Sequence, residues 1–483
     1  MEEIRFSAVL TQNVQRMQSI FQGDNTLVTR YAHSPSGLRC AVFFFDGMVN
    51  GIAINQSVIR PIVSSERASA TADELAHTIL QVNDSRVEPD VTKMFASFLY
   101  GDTVIFTEGD PRPVVVNTKG FSTRSANEPE NERVLSGPRE GFIECFMPNL
   151  ALIRRRLNDK RLKFTFLRVG KRTNTVVCLC YLAGLCQEKL IAHIKKQLQS
   201  LDIDSVLDAN YLAERMRDHP YSPFPTLGTT ERPDVVAARL LEGRCAIVVD
   251  GSPVVLTAPY LLQECFQSND DYYISFLQAN VSRLLRLLGF LFTVTFPALY
   301  VGVLLYHPEL IPAPLLFALC AAQKGAPLPV AWETFLLLLV LEAIKEAGAR
   351  TPGAMGQTMS IVGGLVLGQA AVSARFVAAP TVIVVAIAGV TGLMTPKLQT
   401  ATLWLRFFLL ACGVAWGLYG ITLGLGATLA QLCRMQSCST PYVLNFIPRV
   451  ASVQEDTWIR APWFFMRYNR FPLYRERKGG NGR

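Results

Sequence analysis

LLRLLGFLFTVTFPALYVGVLLY, Leu284 to Tyr306, decides how the rest of the chain is read. A helix of this length crosses a hydrocarbon core of about 30 Å, and Arg283 and Arg286 mark its start as a basic, cytoplasm-facing end. Upstream of Arg283 charged and apolar residues are mixed; downstream of it apolar runs dominate. The 483 residues are 50% hydrophobic, and the mean hydropathy of +0.24 is too high for an ordinary soluble enzyme. Composition therefore predicts a composite: an α/β soluble part of two similar lobes, then an all-α polytopic membrane part.

Each half of the soluble part gives a strand leading into a helix and later a hairpin. In the first, RCAVFFFD (Arg39 to Asp46) reads as a buried strand, Ala72 to Gln81 as a helix, and the run from Asp102 as a hairpin turning at Glu108 to Pro111. The second repeats the order with a strand from Asn174, a helix from Gln187 and a hairpin turning at Asp250, Gly251 and Ser252. Asp-Gly between two β-branched runs is a strong hairpin signal because glycine accepts positive φ. Residues 117–137 are polar and aperiodic, so they read as a connection. The expected boundaries are a segment 1–24, lobes 25–125 and 126–270, helices 271–435 and a basic tail 436–483.

Downstream, five spans are countable: Leu284–Tyr306, about Val330–Ala349, Met359–Ser373, Thr381–Met394 and Leu403–Leu432. An odd count from a cytoplasmic N-terminal domain puts the basic tail outside, against the positive-inside rule. The residues thus require four spans or six. Either Pro312–Ala322 crosses, or one short glycine-bearing segment is re-entrant. The first twenty residues carry no signal-peptide apolar core, which keeps the N-terminal domain in the cytoplasm.

The segment MSIVGGLVLGQAAVS carries the most information about function. On a helix advancing about 100° per residue, Ser360, Gly364 and Gly368 form a small-residue face for close helix packing. Val362, Val366, Gln369 and Ser373 form the other face, either lining a pore with an apolar constriction or hydrogen bonding across a packed bundle. Glu342 lies inside LLLLVLEAIKEAGA, where an unpaired charge is costly, so it needs a cavity or a partner. The net charge of +8 sits largely in the membrane flanks and tail and comes with no recognition motif, which reads as contact with anionic membrane lipid and not with nucleic acid. The 11 cysteines form no CxxC pair, and Cys178 and Cys180, two apart on a strand, point to one face as reduced core residues. The five histidines are scattered and no hydrolase, metal or phosphate-loop motif is complete, so no catalytic residue, metal or cofactor is expected. VGKRT at Val169–Thr173 reads as a hairpin turn.

Together these segments resemble the spore germination protein A-subunit family. The resemblance rests on GPREGF (Gly137 to Phe142) with Asn149 and Arg154, PFP at 223–225, EGRCAIVVDGSPVVLTAP at 242–259, DYY at 271–273 and RLLR at 283–286. It continues through EAIKEAGARTPGAMGQTMSIVGGLVLGQAAVSA from Glu342 and RAPWFFMRYNRFP from Arg460. PLP at 327–329 departs from the family's usual Pro-Phe-Pro. The resemblance implies an A subunit of a nutrient germinant receptor in the spore inner membrane, working with a permease-like B subunit and a lipoprotein C subunit. It also implies a homo-oligomer of A subunits that conducts cations and has no catalytic residues. Alternatives are a stage V sporulation AF-type paralogue, a transporter or a non-conducting scaffold. Arg139 and Glu140 in GPREGF are candidates for a subunit or domain interface, or for folding of the N-terminal domain alone.

Overall fold

The computed structural model describes residues 5–120, 129, 132, 134, 136–350, 354–444, 456 and 459–462; the side chains of 354–362 and 365 lie outside that description, as does much of 117–137 and most of the basic tail. In the first lobe β1 (Leu27–His33), β2 (Arg39–Phe45), β3 (Ser85–Val87), β4 (Thr103–Thr107) and β5 (Val114–Val116) form an antiparallel sheet in the order β1-β2-β4-β5-β3. Side chains alternate across β2, and both faces are apolar. Ala41, Phe43 and Phe45 pack under α1 (Leu10–Ile20), while Cys40 and Val42 pack under α2 (51–63) and α3 (72–79). α4 (Val91–Leu99) joins α1 on the first face through Met94 and Phe98. Helices on both faces explain why CAVFFF, after the exposed Arg39, is continuously hydrophobic.

The second lobe repeats this plan element by element. α5 (Phe146–Arg156), β6 (Leu162–Val169), β7 (Thr175–Leu182), α6 (Glu188–Ser200), α7 (Ala209–Arg215), β8 (Gly228–Thr230), α8 (Pro233–Leu241), β9 (Cys245–Val249) and β10 (Val255–Ala258) follow in that order. The sheet order is again β6-β7-β9-β10-β8, so the two similar lobes read from the sequence are present. Cys178 and Cys180 share the face under α5 and α8, with sulfurs 3.6 Å apart and unbridged. Gly251 takes φ +85° in the β9–β10 turn, and VGKRT lies where β6 turns into β7.

The lobes meet at a buried ion pair. Arg154, on α5 and 1% exposed, donates to Asp24 Oδ2 (2.5 Å) and Thr26 Oγ1 (3.1 Å). Its guanidinium lies 4.0 Å from the Phe45 ring of the first lobe and 4.8 Å from Phe164 of the second. The planar cation thus fills an aromatic slot that an ammonium would not.

Beyond the second lobe lie α9 (Phe276–Tyr306), α10 (Ala313–Gln323), α11 (Val330–Arg350), α12 (Ala354–Ser373), α13 (Ala379–Gly392) and α14 (Gln399–Arg434). Among the described residues two helical stretches, Phe276–Tyr306 and Pro396–Arg434, are long and apolar enough to cross a membrane by length and composition. The second is not one rod. A straight helix of 36 residues would run about 54 Å, but Trp416 (φ −137°) and Gly417 (φ +59°, ψ −141°) break it. Past the break the chain folds back: a Cβ on Gly424 would stand 2.7 Å from Leu409 Cδ2 and 3.3 Å from the Cys412 sulfur. The Tyr306 hydroxyl donates to the carbonyls of Val414 (2.7 Å) and Ala415 (3.1 Å), which the break leaves without helical partners. α14 is therefore a helical hairpin, and Leu398 and Leu432 at its two ends join one cluster with Phe224, Tyr260 and Phe266 beside the second lobe.

This hairpin adds a helical pass to the five stretches counted from the sequence. α13 runs against α9, with Thr381 beside Tyr300 and Thr391 beside Thr293. α11 runs with its Glu333 end at the start of α13 and its Glu342 against Arg406 in the first arm of α14. Six helical passes alternate away from and toward the second lobe: α9, α11, α12, α13 and the two arms of α14. The added pass is the second arm of α14, not Pro312–Ala322, whose crossing the sequence offered as the route to six. α10 instead stays at the far end, where Gln323 meets Tyr300 (3.4 Å).

Candidate functional site

Polar chemistry concentrates where the second lobe, the base of α9 and the tail meet. Arg283 and Arg286 are three apart on α9, so both guanidinium groups reach one side. Asp271, from DYY, accepts from Arg283 Nε (3.1 Å) and Arg286 Nη2 (2.5 Å), and from the backbone N–H of Ser268 (3.1 Å). Asp456 from the tail pairs with Arg283 (2.8 Å) and accepts from the Tyr272 hydroxyl (2.6 Å). Arg460, fully buried, donates to the carbonyls of Asp271 (2.5 Å) and Ile274 (2.9 Å), and its backbone N–H donates to Asn280 Oδ1 (2.6 Å).

A second group lies on the other side of the same turn. Tyr273 donates to Asp234, which also pairs with Arg232 (2.8 Å). Burial opposes ionisation of Asp234, but the bonds from Arg232 and Tyr273 win and hold its carboxyl below the usual range. Burial and that same carboxylate push the Tyr273 phenol up to about 12. Arg232 also donates to the Pro138 carbonyl (2.8 Å), and a Cβ on Gly137 would stand 2.8 Å from the Tyr273 ring. GPREGF thus lies directly against DYY. Behind it Glu264 holds Arg244 (2.5 Å) and Arg239 (3.0 Å), and Arg239 holds Glu242 (3.1 Å). These groups carry no nucleophile–base arrangement, and among the described residues no three His, Cys, Asp or Glu side chains gather to hold a metal. What the arrangement does is tie the second lobe and the GPREGF segment to the turn at the base of α9.

The residues singled out from the sequence fall elsewhere. Glu140 is spent inside the second lobe, accepting from Arg155 and, at 2.8 Å, from Arg156 at the end of α5. Burial raises its carboxyl, yet the two arginines bring it below the ordinary glutamate range. Arg139 beside it is exposed. On α12, Val366 (58% exposed), Gln369 and Ser373 face outward. Gly364 has open space around it, and Gly368 meets only Val382 Cγ1, at 3.5 Å. Ser360 and Val362 lie in α12, but their side chains are outside the described residues. Glu342 has partners: Lys345 Nζ at 3.2 Å and Arg406 Nη1 at 2.9 Å. Glu333, fully buried, accepts from the Ala378 N–H at the start of α13, a role the sequence signals only as a carboxylate at a helix end. The Asp234–Tyr273 and Asp456–Arg283 contacts had no local signal, since their members lie 39 and more than 170 residues apart.

Fold and junction define a class: a two-lobed α/β domain locked by ion pairs onto a bundle of alternating apolar helices. The chain belongs to the GerA family of spore germination proteins, since residues 15–471 match the family described as Bacillus/Clostridium GerA spore germination protein. It is 36% identical to the uncharacterized membrane protein YfkQ of Bacillus subtilis, over 95% of this chain and 90% of that one. It is 36% identical to spore germination protein KA of Bacillus subtilis, over 88% of this chain and 79% of that one. Among solved structures, the N-terminal domain of the A subunit of the Bacillus megaterium spore germinant receptor GerK3 matches with 26% identity and a TM-score of 0.41, covering 54% of this chain and 99% of that domain.

Proposed function

We propose that this chain is an A subunit of a nutrient germinant receptor in the spore inner membrane, assembling with a permease-like B subunit and a lipoprotein C subunit. In this reading several copies meet through α12 and enclose a cation conduit that opens to start germination. The observation that carries it is the outward face of the described second half of α12. Val366, Gln369 and Ser373 are turned away from the rest of the chain, and Gly364, open on its own face, would let a neighbouring helix approach closely. A polar Gln369 set against lipid would be costly, and a wetted or protein-lined surface removes that cost.

Six passes leave both the N-terminal domain and the basic tail on one side, the cytoplasmic side by the positive-inside rule. Glu342, held by two cations, serves to fix α11 against α14 and does not line the conduit.

Two substitutions test this reading. Val366→Ser removes an apolar side chain from the constriction, and dormant spores carrying it should lose potassium without a nutrient. A Cβ on Gly364 has nothing within 4 Å, so Gly364→Leu should leave the level of folded protein unchanged while abolishing assembly of copies on native gels. Retained ions in the first variant, at normal protein level, would count against the conduit; normal assembly of the second would count against α12 as the contact.

A further inference from the structure

The helical bundle buries one more positive charge than its carboxylates cancel. Arg406, on the first arm of α14 and 1% exposed, donates through Nη1 to Glu342 Oε1 (2.9 Å), and Lys345 Nζ donates to the same oxygen (3.2 Å). Two cations thus share one carboxylate. No other acid of the chain is placed to balance them: α9, α12, α13 and α14 contain no aspartate or glutamate, and none occurs between Glu346 and Glu455. On α11 itself Glu346 pairs with Arg350 (2.6 Å) on an exposed face, and Glu333, at the opposite end of the helix, is bonded to the Ala378 N–H. Arg406 is also short of hydrogen bonds. Its Nε is buried without a partner, although a guanidinium carries five N–H donors. Beside its Nη2 stands Gly392, where a Cβ would lie 3.7 Å from that nitrogen and 3.3 Å from Thr293 Cγ2. A charge held unbalanced among apolar helices is costly, so something outside the chain's own acids must neutralise it.

We propose that Arg406 and Lys345 bind a small monovalent anion of the chloride class, which neutralises this cluster and completes the junction of α11, α13 and α14. The donors suit an anion and nothing else: both are cations, and neither has a lone pair to offer a metal. Size selects a monatomic ion. Arg406 is almost wholly enclosed, and the space left by Gly392 is that of a methyl group, so a lipid phosphate carrying two ester chains does not enter while a desolvated halide does. Four residues further along α11 and α14, Leu338 and Leu410 pack with Val301 and Val385 into an apolar cluster. The ion therefore approaches from the lobe end of the bundle, past the end of α13. Glu342 sets the affinity. With its charge present the anion answers a single net positive charge, and without it the anion would answer two.

The experiment uses the full chain in dodecyl maltoside micelles, with sodium chloride exchanged stepwise for sodium gluconate at constant ionic strength. The melting temperature should rise with chloride by about 5 °C and then saturate, as binding to the folded state requires. The chloride NMR line should broaden beyond that of protein-free micelles. Lys345→Met leaves Arg406 and Glu342 as a neutral pair and should abolish both responses while the chain still folds. Glu342→Gln should lower the chloride concentration for half the stabilisation about tenfold; if that variant does not fold, Lys345→Met decides alone. A parent indifferent to chloride would overturn the site, and so would a Lys345→Met chain that responds as the parent does. Phosphatidylglycerol added to the micelles tests the other source of negative charge: stabilisation by the lipid without any response to chloride would assign the neutralising charge to headgroups and overturn the pocket. None of these readouts involves ion flow, so the anion site and the proposed conduit stand or fall separately.

Discussion

Arg154 and Asp24 show what one residue does for the N-terminal domain. Their bond joins the two lobes where water is excluded, so removing one partner leaves the other as an uncompensated buried charge. Arg154→Leu should therefore lower stability to chemical denaturation by about 3–5 kcal/mol. Arg154→Lys should recover only part of it, because the ammonium cannot lie flat between Phe45 and Phe164. Urea unfolding followed by near-ultraviolet circular dichroism would read both. Asp234 makes a second prediction at this scale. Its folded carboxyl lies below the ordinary 3.8, so the stability it adds is fully present above that value and is lost as pH falls through the lower, folded one. The parent should thus lose stability below about pH 4, and Asp234→Asn should flatten that part of the pH profile. An unchanged slope in the variant would assign the acid sensitivity to other carboxylates. Arg154 stood out in the sequence only through the family resemblance, and its partner, 130 residues away, had no local signal.

Elements differ in how legible they were, and α14 shows why. The strands were readable because each is a short β-branched or aromatic run closed by a turn residue, so period and punctuation agree. α14 reads as one long apolar helix because its break consists of two torsions, at Trp416 and Gly417, inside a stretch already rich in glycine. Nothing local separates Gly417 from Gly413 or Gly420; what sets it apart is the Tyr306 side chain, whose Cβ lies 2.9 Å from where its own Cβ would stand, together with the two carbonyls that the Tyr306 hydroxyl takes up. The fold-back is testable with a native thiol. In a straight helix residues 412 and 424 would be about 18 Å apart, whereas a Cβ at 424 in the hairpin is 3.3 Å from the Cys412 sulfur. Gly424→Cys should therefore form a disulfide with Cys412 on mild oxidation, seen by mass spectrometry as one cross-linked peptide from a single chain, with Leu409 shifting aside to admit the new side chain. Two free thiols after oxidation would mean that α14 is straight.

At the scale of the whole molecule the sequence supplied a contradiction, and the folded-back α14 offers one way out of it. Composition separated the lobes from the helices, and charge in the tail required an even number of passes, but hydropathy alone produced five because a folded helix and a straight one have the same apolar profile. The junction was less legible than the spans, since its ion pairs join DYY, α9, GPREGF and the tail across distances that only the finished fold closes. The even count carries a consequence that natural cysteines report. Cys145 lies exposed on the second lobe and Cys433 exposed at the lobe end of the second arm of α14, whereas Trp416 lies exposed at the tip of the hairpin. With six passes, a membrane-impermeant maleimide should label Cys145 and Cys433 from the same side, in inverted membrane vesicles and not in intact cells. In a Trp416→Cys variant the added thiol should label from the opposite side, in intact cells. A straight α14 makes the reverse assignment for Cys433, placing it with residue 416 or beyond and apart from Cys145. Chains retaining only one of these thiols, labelled in both preparations and compared after detergent permeabilisation, distinguish the two arrangements without reference to conduction. Labelling of Cys433 from the side opposite Cys145 would return the count to five and set the basic tail outside.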